Sequence, residues 1–151
     1  MGDKTVKSVT EADILAALDA CYPPPAWAFI PQVRDGTGLG AGRTADAVAM
    51  SLWPSRGLEV TGYEIKVARA DWLRELRNPE KAETIFGYCD RWYIAAPDGV
   101  VAPGELPPTW GYKVFRARRI ETEVEAPKLS PTPLDRVFVA SVMRRLHGLR
   151  A

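Results

Sequence analysis

The sequence contains few histidines and cysteines, the residues that bind soft metals. Among its 151 residues are one histidine, His147, and two cysteines, Cys21 and Cys89. A single histidine argues against a His-rich zinc centre and against a Ser-His-Asp triad. The cysteines are far apart and have no metal-ligand spacing, so we expect two buried free thiols rather than a disulfide. Any chemistry must therefore depend on carboxylates, lysine, arginine and a hard metal ion.

An excess of one charge and a long apolar run are also lacking. Twenty lysine and arginine residues face nineteen acidic ones, for a net charge of +1. A nucleic-acid binder with this balance would need a local basic surface. No apolar run approaches the roughly 20 residues that span a bilayer. Residues 1–10 have neither the apolar core of a signal peptide nor the Ser or Thr of a myristoylation signal. We therefore expect a cytoplasmic protein that does not bind membranes.

The length and the ordinary composition predict one domain over residues 1–151, with a core over about 10–116. The order of elements, a helix, three strands, a helix and a strand, indicates an α/β fold. The predicted helices cover residues 11–22, 69–76, 79–89 and about 133–147, and the predicted strands cover 26–33, 45–53, 58–66, 91–97, 111–117 and, as an edge, 120–126. On the last helix an apolar stripe is predicted from Leu134, Val137, Phe138, Val142 and Leu146.

Two of these strands, 45–53 and 58–66, are joined by a turn and predict a hairpin. Folding the chain about Ser55 matches the apolar residues of one face across the two strands. The predicted cross-strand pairs are Leu52 with Leu58, Met50 with Val60, Val48 with Gly62, and Asp46 with Glu64.

In this register two carboxylates meet, with Lys66 beside them. Like charges at such a distance repel, and a divalent cation that prefers oxygen ligands relieves the repulsion. Lys66 could then hold a water molecule or, with a lowered pKa, help to deprotonate it. On spacing alone a second interpretation stays open. Asp46 would be a residue at the start of a strand, and Glu64 and Lys66 an exposed ion pair contributing under about 1 kcal/mol.

The segment 43–113 resembles the PD-(D/E)XK nuclease superfamily and, within it, the small MmcB-like DNA repair proteins. The resemblance rests on an ordered set of motifs: Asp46 in one strand, the tripeptide 64–66 (Glu-Ile-Lys) at the end of the next, the run 69–72 (Arg-Ala-Asp-Trp) and the strand that begins with 90–93 (Asp-Arg-Trp-Tyr). The superfamily's proline before the first acid is replaced by Ala45.

This resemblance, which makes no claim for the two ends of the chain, implies a restriction-endonuclease-like core with a mixed central sheet. The single domain predicted over residues 1–151 would then be nuclease-like. It implies a metal-dependent deoxyribonuclease that hydrolyses phosphodiester bonds with Mg²⁺ or Mn²⁺, in DNA repair or processing. Carried over to this sequence, Asp46, Glu64 and the main-chain carbonyl of Ile65 would bind the metal. Lys66 would position the attacking water.

The resemblance also suggests residues around this centre. Many relatives place a further acid on the first helix, for which Glu11 is the candidate, although acids there also serve as helix caps. Arg69 and Lys81 would hold the scissile or a neighbouring phosphate. Arg43, at the end of the glycine-rich segment 36–42, would contact the DNA backbone.

Other functions stay open at this point. The fold could bind nucleic acid or a repair partner without cleaving it, or it could need a recognition protein to act. DNA is the favoured substrate and RNA stays open. The sequence predicts neither the structure of the substrate nor the oligomeric state.

Overall fold

The described part of the chain contains three helices and six strands in the predicted α/β order. The computed structural model describes residues 8–34, 44–78 and 87–149. Within them the helices are α1 (Glu11–Ala20), α2 (Arg69–Arg77) and α3 (Arg136–Gly148), and the strands are β1 (Trp27–Arg34), β2 (Thr44–Ser51), β3 (Val60–Ile65), β4 (Arg91–Pro97), β5 (Gly111–Arg116) and β6 (Arg119–Val124). The predicted helix over 79–89 falls largely outside the described residues, and its described part, 87–89, is not helical.

The strands form one mixed sheet, as expected, in the order β1-β2-β3-β4-β5-β6. The pairs β3–β4 and β4–β5 are parallel, and the others are antiparallel. Strand β1 tolerates Pro31 because it lies at an edge, where a missing amide proton costs little. Strand β6 forms the opposite edge, and the predicted edge position of this segment is confirmed.

The predicted hairpin register is confirmed at its centre, where Met50 pairs with Val60 and Val48 with Gly62. The strands are shorter than predicted, because a 3-10 helix over Pro54–Arg56 and two residues with positive φ, Gly57 and Leu58, make the connection. The predicted contact between Leu52 and Leu58 is therefore wrong. Both residues lie in this connection and are exposed.

Each face of the sheet is covered by its own apolar cluster. Residues from α2 and α3 cover one face, with Trp72 and Phe138 packed near Trp92 and Ile94 of β4. On the other face, Ile14 and Leu18 of α1 pack in a cluster with Tyr63 and Tyr93. Alternate residues of β3 and β4 therefore belong to different clusters, as the two-residue period of a strand requires.

The last helix differs from its prediction in both extent and orientation. It begins at Arg136, because Asp135 caps it by accepting a hydrogen bond from the backbone amide of Phe138 (2.8 Å). Its buried side chains are Phe138 and Ser141. Three members of the predicted stripe are exposed instead, namely Leu134, Val137 and Leu146. The helix contacts the sheet along a narrower face than the apolar pattern suggests.

The two cysteines have different environments. Cys89 is buried and free, as predicted, and burial raises the pKa of its thiol to about 12. Cys21 is also free, but it is exposed at the end of α1, so the prediction of a buried thiol is wrong there. Among residues 8–34, 44–78 and 87–149, no helix is long and apolar enough to cross a membrane.

Candidate functional site at the end of strand β3

Asp46 is fixed to the end of strand β3. The pairing of β2 with β3 runs from Met50–Val60 to Ala47–Tyr63, and Asp46 is the next residue of β2. Its Oδ2 accepts a hydrogen bond from the backbone amide of Ile65 (2.7 Å). Beyond the last backbone pair of β2 and β3, this side-chain to main-chain hydrogen bond holds the Asp46 carboxylate beside residues 64–66 (Glu-Ile-Lys).

Glu64 and Lys66 form an ion pair at the same place. Lys66 follows β3, and its backbone amide donates to the carbonyl of Ala95 in the parallel strand β4 (3.0 Å). Its Nζ lies 3.2 Å from Glu64 Oε1, and the two side chains are only 16% and 18% exposed. The alternative of an exposed ion pair is therefore not observed. The structure brings Asp46, Glu64 and Lys66 together in a largely buried site.

A third carboxylate, Glu75 of α2, was not among the predicted site residues. Its Oε2 lies 3.2 Å from Lys66 Nζ, and the residue is buried beside Trp72 on the inner face of the helix. The sequence carries a signal for it, because Glu75 follows Trp72 by three residues and the two must share a face of the helix. An acid on a buried helical face requires a partner, and Lys66 is that partner.

The electrostatic environment disfavours charge on both strand carboxylates. The pKa of Asp46 is raised to about 6. Burial is the largest cause and the charge of Glu11 also raises the pKa, whereas the hydrogen bond from Ile65 lowers it. The pKa of Glu64 is raised to about 8, with burial as the largest cause and repulsion from Asp46 as the second. The attraction of Lys66 lowers both pKa values by less than burial raises them. The pair therefore retains a proton near neutral pH unless a cation compensates its charge.

Lys66 is an ammonium ion in this site. Burial alone would lower its pKa, but the carboxylates of Glu64 and Glu75 outweigh burial and the pKa is raised. A lowered pKa, which Lys66 would need to deprotonate a water, is therefore not found in this environment. A protonated lysine donates hydrogen bonds, so it can hold a water or offset negative charge on a phosphate.

The donor set fits a hard divalent cation. Asp46 and Glu64 offer carboxylate oxygens, and the carbonyl of Ile65 is the main-chain oxygen between Glu64 and Lys66. Mg²⁺ is commonly bound by one or two carboxylates together with water and substrate phosphate oxygens. Within the part of the chain that the structure describes, no three or more His, Cys, Asp or Glu side chains form a group that could hold a metal. A metal here would therefore depend on two carboxylates, a carbonyl and ligands from outside the protein.

Glu11 lies at the exposed start of α1, close enough for its charge to affect Asp46. The helix start is fixed by a capping box, in which Thr10 Oγ1 accepts from the amide of Asp13 (3.2 Å) and Asp13 Oδ2 accepts from the amide of Thr10 (2.9 Å). Asp13 is thus a capping residue. Glu11 remains the candidate for an additional acid at the site.

Arg69 is held by an acid from the segment after β4. Its guanidinium forms an ion pair with Glu105 at 2.5 Å and donates to the carbonyl of Val100 at 2.9 Å. This bridge connects the start of α2 to the segment between β4 and β5. The proposed phosphate contact of Arg69 would have to compete with Glu105, and it stays a prediction. Arg43 and Lys81 lie outside the described residues.

Comparisons with known proteins place the fold but not the activity. No family model matches the chain, and no curated protein matches it. Among solved structures, the chain is similar to the SPO1766 protein of unknown function from Silicibacter pomeroyi, with a TM-score of 0.60 and 23% sequence identity. The match covers 92% of this chain and 88% of that protein. Likeness at this identity shows a shared fold alone.

Proposed function

We propose that this protein is a Mg²⁺- or Mn²⁺-dependent nuclease that hydrolyses phosphodiester bonds in DNA, in repair or processing. One observation carries the proposal: Asp46, Glu64 and Lys66 lie together at the end of β3 in a site with more negative than positive charge. The order of elements supports a restriction-endonuclease-like core, and the MmcB-like motifs of the sequence point in the same direction.

In this proposal each group has a separate task. Asp46, Glu64 and the carbonyl of Ile65 would hold the metal, which when bound would polarise the phosphate and acidify a bound water. The hydrogen bond from the amide of Ile65 keeps the Asp46 carboxylate oriented before any metal arrives. Lys66, as an ammonium ion, would orient the attacking water and stabilise the negative charge of the phosphate in the transition state.

The test compares the wild-type protein with Lys66→Met and Asp46→Asn on single-stranded, duplex and branched DNA and on RNA, with Mg²⁺, Mn²⁺ or a chelator. We expect metal-dependent cleavage of DNA by the wild type and a loss of about 100-fold or more in either variant. Lys128→Met is the matched control, because Lys128 is exposed, and it should cut normally. Circular dichroism establishes that each variant is folded.

Two outcomes would overturn the proposal. Cleavage by both site variants at the wild-type rate would show that the assigned residues are wrong. DNA binding without cleavage, unchanged by the chelator, would favour a non-catalytic adaptor that binds nucleic acid or a repair partner on the same fold.

A further inference from the structure

Glu75 is a buried charge for which the proposed reaction has no role. It lies on the inner face of α2 and is 9% exposed. Within the described residues its ion-pair partner is Lys66. Replacing a buried ion pair by apolar side chains is often neutral or stabilising, so a buried acid is weak evidence for a role in stability. The position of Glu75 instead suggests a role that it performs through Lys66.

The Nζ of Lys66 lies at the same distance from the carboxylates of Glu64 and Glu75. Its Nζ is 3.2 Å from Glu64 Oε1 on strand β3 and 3.2 Å from Glu75 Oε2 on helix α2. The two acids differ in what surrounds them. Glu64 is repelled most by Asp46 of the neighbouring strand. Glu75 belongs to a separate element, α2, and repels both strand acids, with a smaller effect on Glu64 than Asp46 has. Glu64 is also the acid that the proposed function assigns to the metal.

These contacts create a competition for Glu64. A metal bound to Glu64 would compete with the ammonium of Lys66 for the negative charge of the same carboxylate. If Glu64 were the only partner, Lys66 would either stay on Glu64 and oppose the metal or leave the site. With Glu75 present, the ammonium keeps a charged partner when Glu64 turns to the metal.

We infer that Glu75 is a positioning residue: it holds the ammonium of Lys66 when Glu64 is released to the metal, and so keeps the lysine at the reaction centre. This inference rests on the proposed function, because it assumes that Glu64 is a metal ligand. It assigns Glu75 no contact with metal or substrate.

The first test measures Mn²⁺ affinity by titration calorimetry, without nucleic acid, for four proteins. These are the wild type, Glu75→Gln, Lys66→Met and the double variant. In Glu75→Gln the ammonium remains on Glu64, so we expect the affinity to fall about tenfold or more, as for other residues that orient metal ligands. In the Lys66→Met background there is no ammonium to hold, so the same substitution should change the affinity little.

The four proteins form a double-mutant cycle, which distinguishes positioning of Lys66 by Glu75 from a direct effect of the Glu75 charge on the metal. If Glu75 bound the metal or attracted it through space, Glu75→Gln would weaken affinity by the same factor with or without Lys66, and the inference would be overturned. Unchanged affinity in Glu75→Gln alone would overturn it as well. Asp71→Asn is the matched control, because Asp71 is an acid of the same helix whose side chain is 42% exposed and pairs with Arg74 (3.3 Å). It should leave the affinity at the wild-type value.

A second test uses cleavage. Glu75→Gln should lower kcat about tenfold or more and leave KM for DNA nearly unchanged, because the substitution misplaces Lys66 without removing a substrate contact. If Glu75→Gln does not fold, Glu75→Asp takes its place, since the shorter acid keeps the charge but cannot reach Nζ in the same geometry. It is expected to show the same losses.

Different results would reject the nuclease function and the positioning role of Glu75. A non-additive Mn²⁺ cycle in a protein that cuts no nucleic acid would support the role of Glu75 and reject the nuclease. Metal-dependent cleavage by the wild type, together with wild-type Mn²⁺ affinity and kcat in Glu75→Gln, would support the nuclease and reject the role of Glu75.

Discussion

Glu64 and Asp46 are acids whose protonation couples the stability of the protein to pH. Their folded-state pKa values, about 8 and about 6, lie above the ordinary values of 4.5 and 3.8, with burial as the main cause. A raised pKa means that the folded state holds the proton more tightly than the unfolded state. The resulting stabilisation is complete below about pH 4 and is lost as the pH rises through the folded values, up to about pH 8.

We therefore expect Glu64→Gln to stabilise the metal-free protein at high pH. The neutral amide has about the same shape and needs no proton, so the gain should be on the order of 1–3 kcal/mol near pH 8.5 and near zero at about pH 4. Urea denaturation at several pH values measures it. Asp19→Asn, at an exposed acid of α1, is the control. A gain for Glu64→Gln that does not depend on pH would contradict the expectation.

At the scale of elements, β3 depends on a glycine in its middle. A Cβ at Gly62 would lie 2.4 Å from two atoms of the Trp92 indole and 2.8 Å from Cys89 Sγ. Trp92 is buried and is the register partner of Gly62 on β4, so the indole cannot yield without disturbing the parallel pair that carries Glu64. A glycine in a strand often marks such a close approach.

Gly62→Ala should therefore destabilise the protein by about 1–3 kcal/mol, the usual cost of overpacking a well-packed core. Thermal and denaturant unfolding measure the change. Gly148→Ala is the matched control: apart from its chain neighbours and the backbone of α3 itself, no atom of the described residues lies within 4 Å of a Cβ built at that position. It should be neutral or slightly stabilising because alanine favours helix. Equal effects of the two substitutions would show that close packing at Gly62 is not the cause.

The sequence predicts the elements around the site better than their contacts. The hairpin register follows from matching apolar residues on one face, because a shift by one residue would turn Val48 and Met50 away from Gly62 and Val60. That local rule brought Asp46 to the end of β3 correctly. It made the connection too short, because the positive φ of Leu58 is unusual for a residue with a Cβ and nothing in the local pattern indicates it.

Contacts between distant elements were harder to predict. Glu75 was missed because its spacing from Trp72 predicts the shared face of α2 but not which charged residue of another element that face meets. The partner of Arg69 was missed for a similar reason, since Glu105 belongs to an irregular segment 36 residues away. The stripe on α3 was partly wrong because an apolar pattern does not show how wide a face the sheet covers.

At the scale of the whole molecule, the proposed metal should act as a ligand of the folded state. The site combines β2, β3 and α2, so it exists only when the sheet and helix are assembled. A ligand that binds only the folded protein stabilises it by about 2.7 kcal/mol at a concentration one hundred times its Kd. For a chain of this length that corresponds to a rise of about 5–10 °C in Tm.

We expect Mn²⁺ to raise the Tm of the wild type near pH 7.5 by about this amount and to leave the Tm of Asp46→Asn nearly unchanged, because the variant lacks one of two carboxylates. Differential scanning calorimetry with and without chelator measures the shift. The quantity compared is the change in Tm on adding Mn²⁺ to each protein, because Asp46→Asn also removes repulsion from Glu64 and can raise the metal-free Tm by itself. Glu123→Gln, a change on the exposed edge strand β6, should retain the full shift. An equal rise in wild type and Asp46→Asn would place the Mn²⁺ elsewhere on the molecule and would remove the metal from the end of β3.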